Sequence, residues 1–259
     1  MQALVIKVGG AFMQAEQAAL DLLKVIADIQ QTRPVILVHG GGPMVEELLA
    51  ALNLKSEKIN GLRVTPDEHM AYITGALAGT ANKQLCGLAI KSGLSPVGLS
   101  LADGGMVKCA VLDPKLGAVG TATAGEAKLL STLLSAAFLP IISSIGADEQ
   151  GRLLNVNADQ AATVIAQLTR ADLVLLSDVP GVLNAEKQLL ESLTEDQIQQ
   201  LIDTNVIRDG MQVKVKAALD AASSLQHPVT IASWKSPEQL LGLKNRQSVG
   251  TLIIPENAS

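Results

Sequence analysis

Aromatic side chains are rare in this sequence, and it carries no excess of positive charge. Phe, Trp and Tyr make up 2% of the 259 residues, and the formal net charge at pH 7 is −5. Proteins that bind single-stranded nucleic acid usually stack bases on aromatic rings and follow the backbone with a basic groove. The composition therefore argues against a nucleic-acid partner, although a local basic pocket is compatible with it.

Cysteine and histidine are almost as scarce. The two cysteines, Cys86 and Cys109, form no CxxC motif, and the chain has three histidines. A disulfide framework needs more cysteines, and a zinc site needs about four ligands at characteristic short spacings. We expect neither a disulfide scaffold nor a metal site held by the protein itself.

Long hydrophobic runs are missing as well. No apolar stretch reaches the roughly 20 residues that span a bilayer. No basic segment with a long apolar region precedes the first strand-like segment, LVIKV. We therefore expect a cytoplasmic protein without a signal peptide and without a membrane partner.

The sequence does contain a repeated alternation of strand-like and helix-like segments. Hydrophobic residues make up 48% of the chain, which is enough for a large core. Residues 3–8 predict a strand, residues 17–30 a helix and residues 35–38 a second, buried strand. Further buried strands are predicted at 139–145 and 173–176, and a hairpin at 103–117. This order favours an α/β protein with a mainly parallel sheet and right-handed crossovers.

Three consecutive glycines, Gly40, Gly41 and Gly42, follow the strand at 35–38 and precede a helix that Pro43 opens. Acidic side chains such as Glu46 then suit the positive end of the helix dipole. A turn without Cβ atoms lets backbone N–H groups approach an anion, so the segment predicts a phosphate cradle. The alternative is a sharp corner with no ligand. Neither a GxxxxGK[ST] loop nor a GxGxxG fingerprint occurs in the chain.

Three basic residues interrupt apolar patterns, and the sequence alone leaves the role of each open. Lys7 interrupts an apolar strand and could face water at a sheet edge. Arg63 lies between two apolar residues and could be a surface charge, or a guanidinium that grips a carboxylate through two hydrogen bonds. Lys214 falls on the apolar stripe of the helix predicted at 211–225, so it could extend to the surface or meet an anion.

The segment NVNADQAA concentrates polar side chains between a predicted strand and a predicted helix. Asn157 is a natural N-cap, which places Asp159 in the first helical turn. Asp159 could simply stabilise the helix, and Asn155 could be an ordinary turn residue. Strand-to-helix loops are also where α/β sheets bind ligands, so a polar site is the other possibility.

Taken together, these motifs resemble those of the amino acid kinase family. They span nearly the whole chain in the family's order: IKVGG (6–10), VHGGG (38–42), NGLRVT (60–65), ITGALAGTANK (73–83), ISSIG (142–146), NVNADQAA (155–162), LLSDVPGVL (175–183) and DGMQVKVKAALDAA (209–222). The first two mark the wider family. NGLRVT and NVNADQAA are typical of the branch that acts on N-acetyl-L-glutamate.

The resemblance implies a fold and a division of labour. The expected fold is a three-layer αβα sandwich with an open, mainly parallel central sheet. Residues 1–172 would form an N-terminal lobe for acetylglutamate binding and dimerisation, and residues 173–259 a C-terminal lobe for ATP. The chain begins at its first strand, without the extra helix of arginine-inhibited hexameric members, so the resemblance implies an arginine-insensitive homodimer.

The resemblance also implies roles for individual residues. Lys7 and Lys214 would stabilise the transferring phosphoryl group, and Asp159 would hold both lysines in place. Arg63 and Asn155 would bind acetylglutamate. Backbone N–H groups would contact phosphate oxygens at Gly9, Gly10, Gly41 and Gly42, of which the last two would also contact the substrate. ATP would lie against Asp178, Val179, Pro180, Gly181, Val182, Leu183, Val206, Ile207 and Arg208.

The implied reaction is ATP-dependent phosphorylation of the side-chain carboxylate of N-acetyl-L-glutamate, an early step of arginine biosynthesis. A carboxylate acceptor is already ionised near neutral pH, so the reaction needs positioning and charge neutralisation more than a base. With no clustered carboxylates to form a cage, Mg²⁺ is expected to travel mainly with the nucleotide. The alternatives are the same chemistry on another acceptor (an amino-adipate derivative, aspartate, glutamate, carbamate or a nucleoside monophosphate) and a non-catalytic ligand-binding subunit.

Overall fold

Strands and helices alternate along the chain in a computed structural model of the protein, which describes residues 2–59, 61–245, 247 and 249–256. Asn60, the first residue of the NGLRVT motif, lies outside the described residues. The strands are β1 (Leu4–Val8), β2 (Val35–His39), β3 (Lys58–Ile59), β4 (Leu62–Arg63), β5 (Pro96–Ser100), β6 (Val107–Val111), β7 (Val119–Ala124), β8 (Leu139–Ser143), β9 (Ile145–Ala147), β10 (Leu153–Val156), β11 (Asp172–Ser177), β12 (Ser192–Leu193), β13 (Val229–Ser233) and β14 (Thr251–Ile253).

The helices fill the intervals between these strands. They are α1 (Glu16–Gln30), α2 (Gly42–Ala51), α3 (Met70–Thr74), α4 (Asn82–Lys91), α5 (Lys128–Ser135), α6 (Ala158–Thr169), α7 (Glu195–Asp203) and α8 (Asp209–Leu225), with a π-helix at Gly75–Ala81 that joins α3 to α4. Short 3₁₀ segments lie at Gly10–Gln14, Asp67–His69, Asp103–Gly105, Pro114–Leu116 and Pro237–Asn245.

One eight-stranded sheet organises the molecule, in the order β12-β14-β13-β11-β1-β2-β8-β5. Its pairs are parallel except for β13 with β14. The prediction of a mainly parallel sheet is therefore confirmed. β1 lies in the middle of this sheet between β11 and β2, so the interpretation of Lys7 as an edge-strand residue facing water is wrong.

Apolar side chains cover both faces of this sheet. Along β1, Leu4, Ile6 and Val8 face one core, whereas Val5 faces the other, because successive side chains of a strand alternate. The first core is packed by α1, α4 and the Pro237–Asn245 segment. The second is packed by α2, α6 and α8. The predicted three-layer αβα sandwich is confirmed.

A second sheet of four strands, in the order β6-β7-β10-β9, packs on the face that also carries α6. Its strand β6 and the turn after it agree with the hairpin predicted at 103–117, but the second strand of that hairpin, β7, lies beyond this range. The single strand predicted at 139–145 is wrong, because the chain leaves the main sheet after Ser143 and Ile145 begins β9, which pairs antiparallel with β10. This step brings the end of β8 and the strand that carries Asn155 close together.

Residues 67–91 are helical, as predicted for 68–91, but the helical hydrogen-bond pattern changes along the segment. A 3₁₀ turn precedes α3, and the π-helix Gly75–Ala81 interrupts the α-helical pattern before α4. Such π segments are rare and often lie at functional sites. Here the segment carries Leu77 against the glycine turn, where a Cβ added to Gly41 would lie 2.5 Å from Leu77 Cδ2.

Two local predictions concern the starts of helices. Asn157 does cap α6, since its side chain accepts hydrogen bonds from the N–H groups of Asp159 and Gln160. The helix that Pro43 was predicted to open begins one residue earlier, at Gly42, and Glu46 follows within its first turns as predicted. The division of the chain at residues 172 and 173 stays a prediction, and the main sheet is continuous across it because β11 pairs with β1.

Candidate active site

Two cavities open at the carboxyl ends of the parallel strands. The first, of about 290 Å³, lies at the ends of β1, β11 and β13, and we call it the lysine cavity. The second, of about 230 Å³, lies beyond β2 and against β10, and we call it the arginine cavity. In the main sheet, the chain runs from β1 to β2 in one direction and from β11, the neighbour of β1, to β13 in the opposite direction. Ligands bind at such a reversal of strand order in α/β sheets.

Lys7 enters the lysine cavity from β1. It alternates with Val8 and therefore shares the sheet face of Val5, which packs against the α6 side. Its Nζ lies 2.8 Å from Asp159 Oδ1, and 14% of its side chain is exposed. A cation in the middle of a buried sheet needs an anionic partner such as Asp159. The small exposed part of the Lys7 side chain lines the lysine cavity.

Lys214 enters the same cavity from α8. Its Nζ lies 2.6 Å from Asp178 Oδ1, and this hydrogen bond lowers the pKa of the Asp178 carboxyl to about 2. The expectation that Asp159 would hold both lysines differs from the structure, in which Asp159 pairs with Lys7 and Asp178 pairs with Lys214. The helical spacing placed Lys214 on the correct face but could not identify its partner.

The two glycine loops combine open and tightly packed positions. A Cβ added to Gly9 or Gly42 would meet no atom within 4 Å, so both leave space for a ligand. A Cβ added to Gly10 would overlap Pro43 and lie 2.9 Å from the Gly42 nitrogen. Both glycines line the lysine cavity, but the absence of a Cβ at Gly10 is also what allows the two loops to pack together.

Trp234 completes the wall of the lysine cavity at the end of β13. Its ring meets that of Phe12 edge to face, with the centroids 6.0 Å apart. Lys235 Nζ lies 5.5 Å from the centre of the indole ring. Trp234 could not be predicted as a site residue, because a single aromatic residue after a strand has no distinctive pattern.

Arg63 lies in the arginine cavity and is buried, so its interpretation as a surface charge is wrong. The guanidinium donates to Gly42 O at 3.2 Å and to Ser56 Oγ. Asn155 lines the same cavity from β10 and donates from Nδ2 to Thr65 Oγ1 at 3.2 Å. Asn155 is therefore a strand residue rather than an ordinary turn residue.

Glu46 is a member of this site that the sequence did not reveal. Its Oε1 lies 3.0 Å from Arg63 Nη2 and 2.9 Å from Lys58 Nζ. The hydrogen bond from Arg63 is the main reason that the pKa of Glu46 falls to about 2. A carboxylate from α2 thus already engages the guanidinium that the resemblance assigns to a substrate carboxylate. The spacing of 17 residues between the two gives no sequence signal.

The N-terminus of α6 separates the two cavities. Ala158 lines the arginine cavity and Asp159, the next residue, lines the lysine cavity. The strand β10 ends at Val156, and the Asn157 cap starts the helix at once. The short turn therefore places the arginine cavity and the lysine cavity on adjacent sides of one helix end.

The segments predicted to border ATP divide between cavity and core. Asp178 lines the lysine cavity. Val182 is buried and donates its N–H to Thr251 Oγ1 at 2.8 Å, and Ile207 is also buried. Val179, Pro180, Gly181, Leu183, Val206 and Arg208 do not line either of the two cavities. Their role in nucleotide binding stays a prediction.

The geometry suits transfer of a multiply charged group to an anion. Two lysine side chains and the loop residue Gly9 line one cavity, where positive charge stabilises phosphoryl oxygens. The neighbouring cavity offers Arg63 and Asn155, which suit a carboxylate and an amide. Across the described ranges, no group of three or more His, Cys, Asp or Glu side chains could hold a metal ion. No described helix is long and apolar enough to cross a bilayer.

This combination of fold and site is that of a phosphotransferase of the amino acid kinase class. Residues 2–233 match the model of the Amino acid kinase family, and the chain belongs to that family. The chain is 55% identical over 257 residues to the acetylglutamate kinase of Pasteurella multocida, with 98% of this chain and 100% of the relative covered. It is 54% identical over 255 residues to the acetylglutamate kinase of Aliivibrio fischeri strain MJ11, with 98% of each chain covered.

A solved structure supports the same assignment of fold. The chain is similar to smu.665 from Streptococcus mutans UA159, with 31% identity, a TM-score of 0.79 and 99% of each chain covered. The family resemblance inferred from the motifs is therefore confirmed. The similarity covers both cavities, because it extends over almost the entire chain.

Proposed function

We propose that the protein transfers the terminal phosphoryl group of ATP to the side-chain carboxylate of N-acetyl-L-glutamate and forms N-acetyl-L-glutamyl 5-phosphate for arginine biosynthesis. The observation that carries the proposal is the adjacency of the two cavities across the N-terminus of α6. A substrate held by Arg63 can extend its side-chain carboxylate towards the lysine cavity. The names of the relatives supply the particular acceptor.

Lys7, Lys214 and Asp159 form the proposed catalytic group. The two lysines approach from β1 and from α8, so they can neutralise the phosphoryl oxygens from two directions. Asp159 positions Lys7 through their ion pair. Removal of one such electrostatic group typically costs about 100- to 1000-fold in kcat.

The acceptor is proposed to lie in the arginine cavity. Arg63 binds a carboxylate, Asn155 binds a polar group of the same molecule, and the N–H groups of Gly41 and Gly42 contact it from the glycine turn. Glu46 already pairs with Arg63, so the acceptor must share or replace this contact. The cost of displacing Glu46 then favours acceptors whose carboxylate fits the guanidinium well.

ATP is proposed to place its phosphates in the lysine cavity, beside Gly9, Gly10 and Asp178. The rest of the nucleotide would follow residues 178–183 and 206–208, within the C-terminal lobe. Mg²⁺ is proposed to arrive on the ATP phosphates, because the carboxylates of this cavity, Asp159 and Asp178, are each paired with a lysine. Mg²⁺ keeps several water ligands in such sites and needs little from the protein.

The family resemblance also supports a cytoplasmic homodimer as part of the proposal. β5 forms one edge of the main sheet, has no charged residue and is half-buried throughout. An unprotected edge of this kind favours pairing with a second strand. We expect Val97→Lys to shift a dimer to a monomer in light scattering after size exclusion. A monomeric wild-type protein would contradict this part of the proposal.

The experiment that tests the reaction measures ADP release with ATP, Mg²⁺ and N-acetyl-L-glutamate, with and without hydroxylamine. Acceptor-dependent ADP together with hydroxamate is the expected result, since hydroxylamine traps an acyl phosphate. The same assay with aspartate, glutamate, carbamate and an amino-adipate derivative tests specificity. A better acceptor than N-acetyl-L-glutamate would overturn the choice of substrate, and no turnover in a folded sample would favour a binding subunit.

A further inference from the structure

His39 ends β2, immediately before the glycine turn, and is fully buried. It shares its sheet face with Val35 and Leu37, which belong to the core beneath α1 and α4, so it lies on the opposite face from Lys7. Burial lowers its pKa to about 4, which leaves the imidazole neutral near neutral pH. The proposed reaction uses no group on this side of the sheet.

The contacts of His39 determine which ring nitrogen carries the proton. Nδ1 lies 2.9 Å from the carbonyl oxygen of Gly40. A carbonyl oxygen only accepts hydrogen bonds, so Nδ1 of the neutral ring must be the donor. Nε2 is then an acceptor, and its partner is Nδ2 of Asn82 at 3.1 Å.

Asn82 is itself held in place from several directions. Its Nδ2 also lies 2.8 Å from Ile141 O in β8 and 3.2 Å from Leu99 O in β5, so the two hydrogens of this amide are shared among three acceptors. Its Oδ1 accepts from Lys83 Nζ at 3.1 Å. The fully buried amide therefore ties α4 to two strands and to His39. This network gives a structural role to Asn82 and Lys83, for which the sequence suggested none.

The bond to Gly40 fixes the orientation of one peptide group. The described chain contains no cis peptide, and in a trans peptide the C=O and the following N–H point in opposite directions. Because the Gly40 carbonyl faces His39, the Gly41 N–H faces the other side of the turn, where the arginine cavity lies. Gly40 N–H is already bound to Val8 O at 3.1 Å, and Gly41 O accepts from Val45 N at 3.0 Å. Within the described ranges, Gly41 N–H donates no hydrogen bond.

We propose that Asn82 and His39 are positioning residues that hold the Gly40–Gly41 peptide so that the Gly41 N–H is aimed at the substrate before it binds. The inference rests on the proposed function, in which this N–H contacts the acceptor carboxylate. A donor that is already oriented needs no reorganisation during the reaction, which is the main source of electrostatic catalysis. Loss of the His39 bond should therefore lower kcat more than it raises KM for ATP.

Three substitutions separate positioning from packing. His39→Asn places an amide nitrogen close to the Nδ1 position and can keep the bond to Gly40. His39→Leu removes the hydrogen-bond donor of this side chain, and we expect kcat to fall by about 10- to 100-fold. This effect does not exceed the loss of an entire oxyanion donor, because the Gly41 N–H is still present and only its orientation is lost. His39→Asn should retain most of the wild-type kcat. Ser143→Ala is the matched control, because Ser143 pairs with His39 in the neighbouring strand and its buried hydroxyl has no hydrogen-bond partner among the described residues.

The result that supports the inference is a kcat order of wild type and Ser143→Ala first, His39→Asn next and His39→Leu last. Equal kcat in wild type and His39→Leu would overturn it, and so would equal losses in His39→Asn and His39→Leu. A wild-type protein without acetylglutamate-dependent turnover would instead refute the proposed function.

A measurement on the wild-type protein keeps the inference testable if His39→Leu does not fold. Nitrogen NMR of imidazole-labelled protein distinguishes the two tautomers, and the chain has three histidines to assign. We expect protonated Nδ1 and unprotonated Nε2 at His39. The opposite tautomer would mean that the ring does not donate to Gly40, and the positioning role would be wrong.

Discussion

Gly9 and Gly10 are adjacent in sequence, yet the structure predicts opposite effects when each is replaced by alanine. The Gly9 backbone has φ of −85° and ψ of 173°, which alanine adopts readily, and an added Cβ meets nothing within 4 Å. Such a change usually adds about 0.4–1 kcal/mol to the free energy of unfolding by restricting the unfolded chain. The methyl group would nevertheless project into the lysine cavity, where it would keep phosphate oxygens away from the loop.

Gly10→Ala should instead affect folding. Its Cβ would overlap Pro43 and crowd the Gly42 nitrogen, both of which belong to the other glycine loop. Overpacking of this kind typically costs about 1–3 kcal/mol. Each kcal/mol lowers Tm by about 2–4 °C in a protein of this size, so we expect a fall of roughly 2–12 °C.

The assay combines thermal unfolding with steady-state kinetics of both variants. Gly9→Ala should keep or raise Tm while its kcat/KM for ATP falls by about 100-fold, comparable to the loss of one electrostatic donor. Gly10→Ala should lower Tm clearly. Wild-type kcat/KM in Gly9→Ala, or equal losses of Tm in both variants, would refute the assignment of Gly9 to ligand and Gly10 to loop packing.

Three further predictions follow from the site. Arg63→Lys should raise KM for N-acetyl-L-glutamate by about 10- to 100-fold, since one lost hydrogen bond to a charged group costs about 1.5–3 kcal/mol; an unchanged KM would exclude Arg63 as the carboxylate ligand. Asn157→Ala should lower the free energy of unfolding by about 1 kcal/mol through loss of the α6 cap, measured by urea titration, with Asn157→Asp as the control that keeps an acceptor. Glu46→Gln should destabilise the protein by less than about 1 kcal/mol, because 38% of the Glu46 side chain is exposed. The folded pKa of Glu46 is lowered from 4.5 to about 2, so its contribution is present above pH 4.5 and is lost as the pH falls towards 2. A difference between wild type and Glu46→Gln that grows on acidification would contradict this.

The sequence predicted the strongly periodic parts of the fold well. Residues 17–30 and 35–38 follow the helical and buried-strand patterns closely, and α1 and β2 end within one residue of those limits. The split between β8 and β9 was not predictable, because LPIISSI reads as one apolar run and the change of sheet depends on pairing with distant β10. The π-helix was missed for a similar reason, since Ala- and Gly-rich residues fit several helical hydrogen-bond patterns.

The site was predicted to the extent that motifs carried it. The resemblance assigned Lys7, Asp159 and Lys214 to one catalytic group, and the structure places them around one cavity. The partners Glu46 and Asp178 are separated by 17 and 36 residues from the cations that they bind. Pairings of this kind arise only when distant segments of the chain meet in the fold, so no local pattern predicts them.

The scarcity of aromatic residues has a practical consequence at Trp234. This indole is the only one in the 259-residue chain, and it lies in the wall of the lysine cavity. All tryptophan emission from the protein therefore originates within reach of the proposed phosphate site. The chain carries its own optical reporter, which can follow nucleotide arrival in a stopped-flow instrument without any label and separate that step from chemical turnover.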